Sequence, residues 1–235
     1  MQLYEAIYQR KSVRKYDMQP LPDELLVEIL AQVEGFQELY TDQRFEQRLT
    51  NKTKGAFGVK APHYLIISGS GAVRELEAAG FLYQQLSLWL TTQGIGSVWL
   101  GSTKDALEQN EFDILALAFG KPLESPYRSL SEFNRKTISQ ITNAPDDECI
   151  QAVNLAPSGM NLQPWFLEKT VDSVLLYEKK PKGPSSLVYR LTDLDMGIAL
   201  CHYALAKTQA GREFNFQRTS DLPDKEGYIG FGIIQ

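Results

Sequence analysis

Two stretches of this chain, Gly80–Gly94 and Gly197–Gly211, have the same length and the same apolar character. Each is an apolar segment at helical spacing that closes on threonine, glutamine and a glycine. The first belongs to a run from Val73 to Thr92 that is apolar around most of its circumference, so it reads as a long buried helix with Gly94 at its C-cap. Fainter echoes keep the same order. Arg135-Lys136-Thr137-Ile138-Ser139 resembles Arg10-Lys11-Ser12-Val13-Arg14 at an offset of about 125 (135 − 10), and Asp147-Glu148 matches Asp23-Glu24 at about 124 (147 − 23). Tyr228 to Ile233 stands where Leu115 to Gly120 stood. Order across several weak matches is the mark of an internal repeat. The chain therefore reads as two weakly similar halves, 1–125 and 126–235, each with a helix, a strand, a long helix and a final strand.

The remaining elements fall between these landmarks. A short helix carrying Leu3, Ile7 and Tyr8 ends near Gln9, and Pro22-Asp23-Glu24 starts another, since proline suits the first turn and acids suit its positive end. The polar span from Glu34 to Lys60 has no clean period and reads as helical pieces and loop. Tyr64–Ser68, ended by Gly69 to Gly71, Ser97–Gly101 and Ile114–Phe119 are strand candidates.

Composition narrows the function. With 235 residues, 43% of them hydrophobic, a formal charge of −5 and a pI near 5.2, the chain is an ordinary globular protein and a poor nucleic-acid binder. Glutamines and glycines interrupt the apolar span 81–100, so no membrane crossing is expected. Met1 to Glu5 lacks the pattern of a signal peptide. Cys149 and Cys201 form no paired motif, which fits a reducing cytoplasm. His63 and His202 are too few for a histidine metal site and read as structural, and no metal is expected.

The stretch Ala156-Pro157-Ser158-Gly159-Met160-Asn161-Leu162-Gln163-Pro164-Trp165 follows a short amphipathic helix and leads into a strand near Phe166. Ser158, Asn161 and Gln163 both donate and accept hydrogen bonds, as the edge of a heteroaromatic ring requires. A helix-ending loop with a tryptophan anchor would use the same residues.

The pattern Ala-Pro-Ser-x-x-Asn-x-Gln-Pro-Trp resembles the signature loop of the FMN-dependent nitroreductase family, and Arg10-Lys11-Ser12-Val13-Arg14 resembles that family's Arg-x-Ser-x-Arg element. The resemblance implies an α+β, three-layer α/β/α fold. It also implies FMN as cofactor, NAD(P)H as transient electron donor, and a nitroaromatic, quinone or similar small molecule as acceptor. Family members are typically homodimers that build the site from both subunits. Here the basic motif stays intact in the first half and the loop in the second, so the resemblance implies one site across an intrachain pseudo-dimer, whether or not whole chains pair further.

By the same resemblance, Arg10 and Arg14 hold the phosphate, with Ser12 between them and Lys11 near the N1–C2 edge of the ring. Pro157 and Ser158 approach the ribityl or the ring, Asn161 meets the pyrimidine portion, and Gln163 touches the flavin or supports the loop. The stretch Val98 to Ser102 resembles the segment against one flavin face, which adds Leu100 and Gly101, and Arg128 resembles the family's late phosphate-binding basic residue. No side chain need be a catalytic acid, base or nucleophile. The competing readings are a non-catalytic FMN- or small-ligand-binding protein on the same scaffold, and a structural protein without cofactor.

Overall fold

A computed structural model describes residues 1–55, 58–70, 74–101, 103–108, 110–179 and 186–235, the side chains of 186–191 excepted. The α+β expectation holds. Helices α1 (Leu3–Ile7), α2 (Asp23–Glu34) and α3 (Glu75–Thr92) accompany strands β1 (Glu46–Thr50), β2 (Thr53–Lys54), β3 (His63–Ser68), β4 (Gly96–Leu100), β5 (Lys104–Asp105) and β6 (Asp113–Gly120). Then come α4 (Glu148–Asn154), β7 (Trp165–Lys169), β8 (Val174–Lys179), α5 (Ser186–Gln209), β9 (Phe216–Arg218) and β10 (Tyr228–Ile234). Gly71, Val73 and Ser102, which the strand and helix readings included, lie outside the described residues.

Two four-stranded antiparallel sheets run β1-β3-β6-β4 and β7-β8-β10-β9, with β2 and β5 paired separately. In sequence terms both sheets place their first, second, fourth and third strands in that order, and each sends a long helix between the second and third. The first sheet draws only on residues before 121 and the second only on residues after 164.

Where the two long helices cross, Gly80 and Gly197 meet the partner backbone. A Cβ on Gly80 would collide with the Leu194 carbonyl oxygen, and one on Gly197 with that of Glu77. Gly80 and Gly197 lie 117 residues apart (197 − 80), as do Glu77 and Leu194 (194 − 77). The contact is thus reciprocal, as across a two-fold interface.

One core joins both sheets through these helices, with Leu65, Leu117 and Phe119 from the first, Trp165, Leu176 and Phe231 from the second, and Leu86, Leu90, Ile198 and Leu200 between. The other face of the first sheet buries Tyr64, Ile66, Ala116 and Ala118 beneath Val13 and Tyr16.

Three local expectations change. The span read as helical pieces and loop contains β1, an edge strand whose Glu46-Gln47-Arg48 carry no apolar alternation because Arg48 serves Asp105 and Asp113 instead. Each sheet has four strands, more than the pattern predicted, and β8 and β9 complete the second. Helix α5 begins eleven residues before Gly197, since Thr192, Asp193 and Asp195 interrupt its apolar pattern without ending it. Among the described residues, no helix is long and apolar enough to cross a membrane.

Candidate functional site

Three arginines converge where the halves meet. After α1, the Arg10 amide donates to the Ala6 carbonyl at 2.8 Å, and the segment pairs antiparallel with Tyr127. The Arg128 amide donates to the Gln9 carbonyl at 2.9 Å, which draws Arg128 alongside. Phe133 then carries the Arg128 guanidinium 3.5 Å from its ring centroid and that of Arg135 at 5.6 Å.

Arg10 is 2% exposed. Its Nη1 and the Nε atoms of Arg128 and Arg135 are buried without a hydrogen-bond partner, and among the described residues none of the three forms an ion pair with a carboxylate. Burial above all, then the charges of Arg128, Arg135 and Arg14, weakens proton binding at Arg10 to about 9. Burial and then Arg135 bring Arg128 to about 10, and burial lowers Arg135. A charge buried as Arg10 is calls for a counter-charge, and the half-buried Arg128 and Arg135 only add positive charge beside it. A group offering several anionic oxygens would satisfy all three.

The loop comes from the second half, as do Arg128 and Arg135. Asp147 caps α4 by accepting the Cys149 and Ile150 amides at 3.0 and 3.2 Å. Beyond α4, Ala156 and Pro157 are buried. Met160, Asn161 and Gln163 then take left-handed backbone, at φ +50, +58 and +47°. Each such residue costs about 1–2 kcal/mol when it carries a side chain, so the surroundings must hold this turn. Ser158 Oγ accepts the Gln163 amide at 2.9 Å, and Gln163 Nε2 donates to the Asn161 carbonyl at 3.1 Å. Gln163 Oε1 accepts the Lys136 amide at 2.8 Å, while Lys136 Nζ donates to the Gln163 carbonyl at 2.6 Å. Gln163 is buried and supports the loop. Trp165 is a buried anchor.

Arg135 joins loop to cluster. Its Nη1 donates to Asn161 Oδ1 at 2.9 Å and its Nη2 to the Leu155 carbonyl at 3.1 Å, while Asn161 Nδ2 donates to the Asn134 carbonyl at 2.9 Å. The sequence pattern treats Arg135 only as an eroded copy of Arg10. In the structure the two converge on one site, and the signal that could have found Arg135 was its own unbroken Arg-Lys start beside Phe133.

Lys11, Ser12 and Arg14 follow Arg10 along the same segment. Lys11 lies close enough to Glu132 to favour its ionised form, after the dominant hydrogen bonds from Ser129. Ser12 bridges Ser97 at the open edge of β4, and Arg14 is exposed but near enough to Arg10 to be felt. Leu100 is buried with Val13 and Tyr16, and Gly101 follows it at the end of β4. Among the described residues, no hydrogen bond ties Leu100 or Gly101 to the arginines.

Both histidines are committed to structure. His63 Nε2 accepts the Leu21 amide at 2.8 Å. The neutral His202 that burial produces, titrating near 3, donates from Nδ1 to the Ala152 carbonyl and accepts at Nε2 from Gln84, whose Oε1 receives the Trp99 indole. A cavity of about 230 Å³ lies elsewhere, among Val33, Glu34, Tyr40, Ala78 and Tyr83. Its charged residues are Glu34, Glu38 and Arg44, and Arg44 is already paired with Glu38. With no unpaired cation, that cavity is a poor phosphate site, and the arginine cluster is the better candidate.

A family model described as "Putative TM nitroreductase" matches residues 2–207. The crystal structure of a putative nitroreductase from Thermotoga maritima MSB8 is 22% identical and covers 100% of this chain and 93% of its own, at a TM-score of 0.70. A nitroreductase family protein from Clostridium difficile 630 is 18% identical over 60% of this chain and 96% of its own, at 0.48. No curated protein matches.

Proposed function

The chain belongs to the family described as "Putative TM nitroreductase", and on that premise we propose that it is an FMN-dependent oxidoreductase whose single site lies between its halves. The observation that carries this reading is the buried, unpaired Arg10 beside Arg128 and Arg135. A phosphate monoester supplies the missing counter-charge, and each charge-assisted hydrogen bond to it contributes about 1.5–3 kcal/mol.

In this reading Arg10, Arg128 and Arg135 hold the phosphate, with the exposed Arg14 and the Ser12 hydroxyl at its rim. Asn161 lies one hydrogen bond from Arg135, within the same network, and faces the pyrimidine edge of the ring after releasing one of its present partners. Pro157 and Ser158 flank the ribityl chain, and Lys11 favours negative charge on the ring. Leu100 and Gly101 are assigned to one ring face by the motif they carry. When bound, FMN supplies two-electron chemistry between NAD(P)H and a small acceptor such as a nitroaromatic or quinone. The protein's part is to bind, orient and tune, and no side chain is assigned as acid, base or nucleophile.

The identical strand order and the reciprocal glycine contact support reading the halves as a pseudo-dimer. The test is the absorbance spectrum of the purified chain with FMN, before and after NADPH is added without oxygen. Uptake of FMN followed by bleaching is expected. A yellow protein that stays yellow is instead a flavin-binding protein without this turnover, and a chain that takes up no FMN contradicts the reading altogether.

A further inference from the structure

The loop that carries Asn161 is fastened from beneath by a residue that no motif includes. Asp195 lies on α5, 2% exposed, and its Oδ1 and Oδ2 accept the Gly159 amide at 2.8 and 3.1 Å. Gly159 opens the 3₁₀ turn Gly159–Asn161, and the left-handed residues follow at once. The Asn161 amide then donates to the Ser158 carbonyl at 3.0 Å, and the Leu162 amide to the Gly159 carbonyl at 3.0 Å.

We propose that Asp195 is a positioning residue: by holding the Gly159 amide it sets the turn that presents Asn161, and through Asn161 it orients Arg135 at the phosphate cluster. The inference rests on the reading of that cluster as the FMN site. Three observations support it. A buried carboxyl is costly unless hydrogen-bonded, so a residue of this type inside an apolar helix face needs a partner of the kind Gly159 provides. The turn holds Met160 and Gln163 in left-handed backbone, which its surroundings must help to offset. And Ala78, 117 residues earlier on α3 (195 − 78), stands at the same step before the crossing glycine but offers no acceptor. The first half has a cavity beside Ala78 where the second has the pinned loop.

Three single variants of the full chain, and the double variant Asp195→Leu with Gly159→Pro, test this. Asp195→Asn keeps an acceptor for Gly159, Asp195→Leu keeps the approximate size without one, and Gly159→Pro removes the donor. Ser158, at φ −147 and ψ 157°, already has the extended backbone that a following proline requires. Two quantities are measured: amide hydrogen exchange at Asn161 and Gln163 in the flavin-free chain, and the dissociation constant for FMN.

Asp195→Leu and Gly159→Pro should each speed exchange and weaken FMN by roughly ten-fold, the double variant should add little, and Asp195→Asn should stay within about three-fold of wild type. Unchanged exchange in Asp195→Leu overturns the proposal. So does lost protection with unchanged FMN affinity, and so does an Asp195→Asn variant as weak as Asp195→Leu. Wild type that takes up no FMN overturns the reading of the site instead, and the exchange measurement then decides the pinning alone.

Discussion

Ala78 and Asp195 stand two residues before the glycines at which α3 and α5 cross, yet the chain above each behaves differently. Above Asp195, residues 157–163 form a turn with three left-handed residues, tied to the helix below and to Arg135 beside it. Above Ala78, residues 33–47 leave an open cavity of about 230 Å³. The basic motif shows the opposite bias, for Arg10 is buried and unpaired while Arg135 is spent partly on the loop. Two sheets with one strand order thus carry differently built surroundings. A single site between the halves is what the proposed reading draws from that difference.

The most damaging test of this comparison is at its axis. Gly80→Ala and Gly197→Ala should each cost about 3 kcal/mol in denaturant unfolding, because either methyl meets backbone that cannot step aside. Similar losses at both positions support the two-fold relation, and a large loss at only one breaks it.

Next come the arginines. Arg10→Met should weaken FMN by roughly 100-fold and Arg135→Met by at least about ten-fold, as read by flavin fluorescence quenching. Arg10→Met should also raise the melting temperature of the flavin-free chain, since it removes a buried charge that has no partner.

A smaller effect depends on pH. Burial above all, opposed by a hydrogen bond from Thr192 and reinforced by Asp193, raises Glu178 from 4.5 to about 7. Between those values the folded chain keeps a proton that the unfolded chain has released, so stability falls as pH rises through the window, and the full cost stands above it. Glu178→Gln should therefore be more stable than wild type by about 2 kcal/mol near pH 8, with no gain near pH 4. The smallest change is expected at Ala78→Leu, which fills the first-half cavity and should leave stability within about 1 kcal/mol of wild type and FMN affinity unmoved. Asp195→Leu, the same new residue at the corresponding step, should loosen the loop.

These contrasts also show what the sequence could reveal. The long helices, Gly94 at its positive φ, the strands β3, β4 and β6 and the Pro-Ser-x-x-Asn loop were all legible, because each announces itself within a few neighbours. Strand β1 was not, since an edge strand whose arginine serves a distant ion-pair cluster carries no apolar alternation. The apolar run Val174 to Tyr177 forms β8, paired on one side with β7 and on the other with β10, a partner some fifty residues later in the chain. Arg135 and Asp195 were hidden for another reason. Their roles depend on residues 26 and 36 positions away (161 − 135 and 195 − 159), a relation that no local spacing encodes.

Calorimetric titration of the purified chain with FMN and with riboflavin tests most directly whether Arg10, Arg128 and Arg135 take a phosphate. The two ligands share a ring and a ribityl chain and differ only in the phosphate. The account predicts that FMN binds at least about 100-fold more tightly. Equal affinity for both would contradict it.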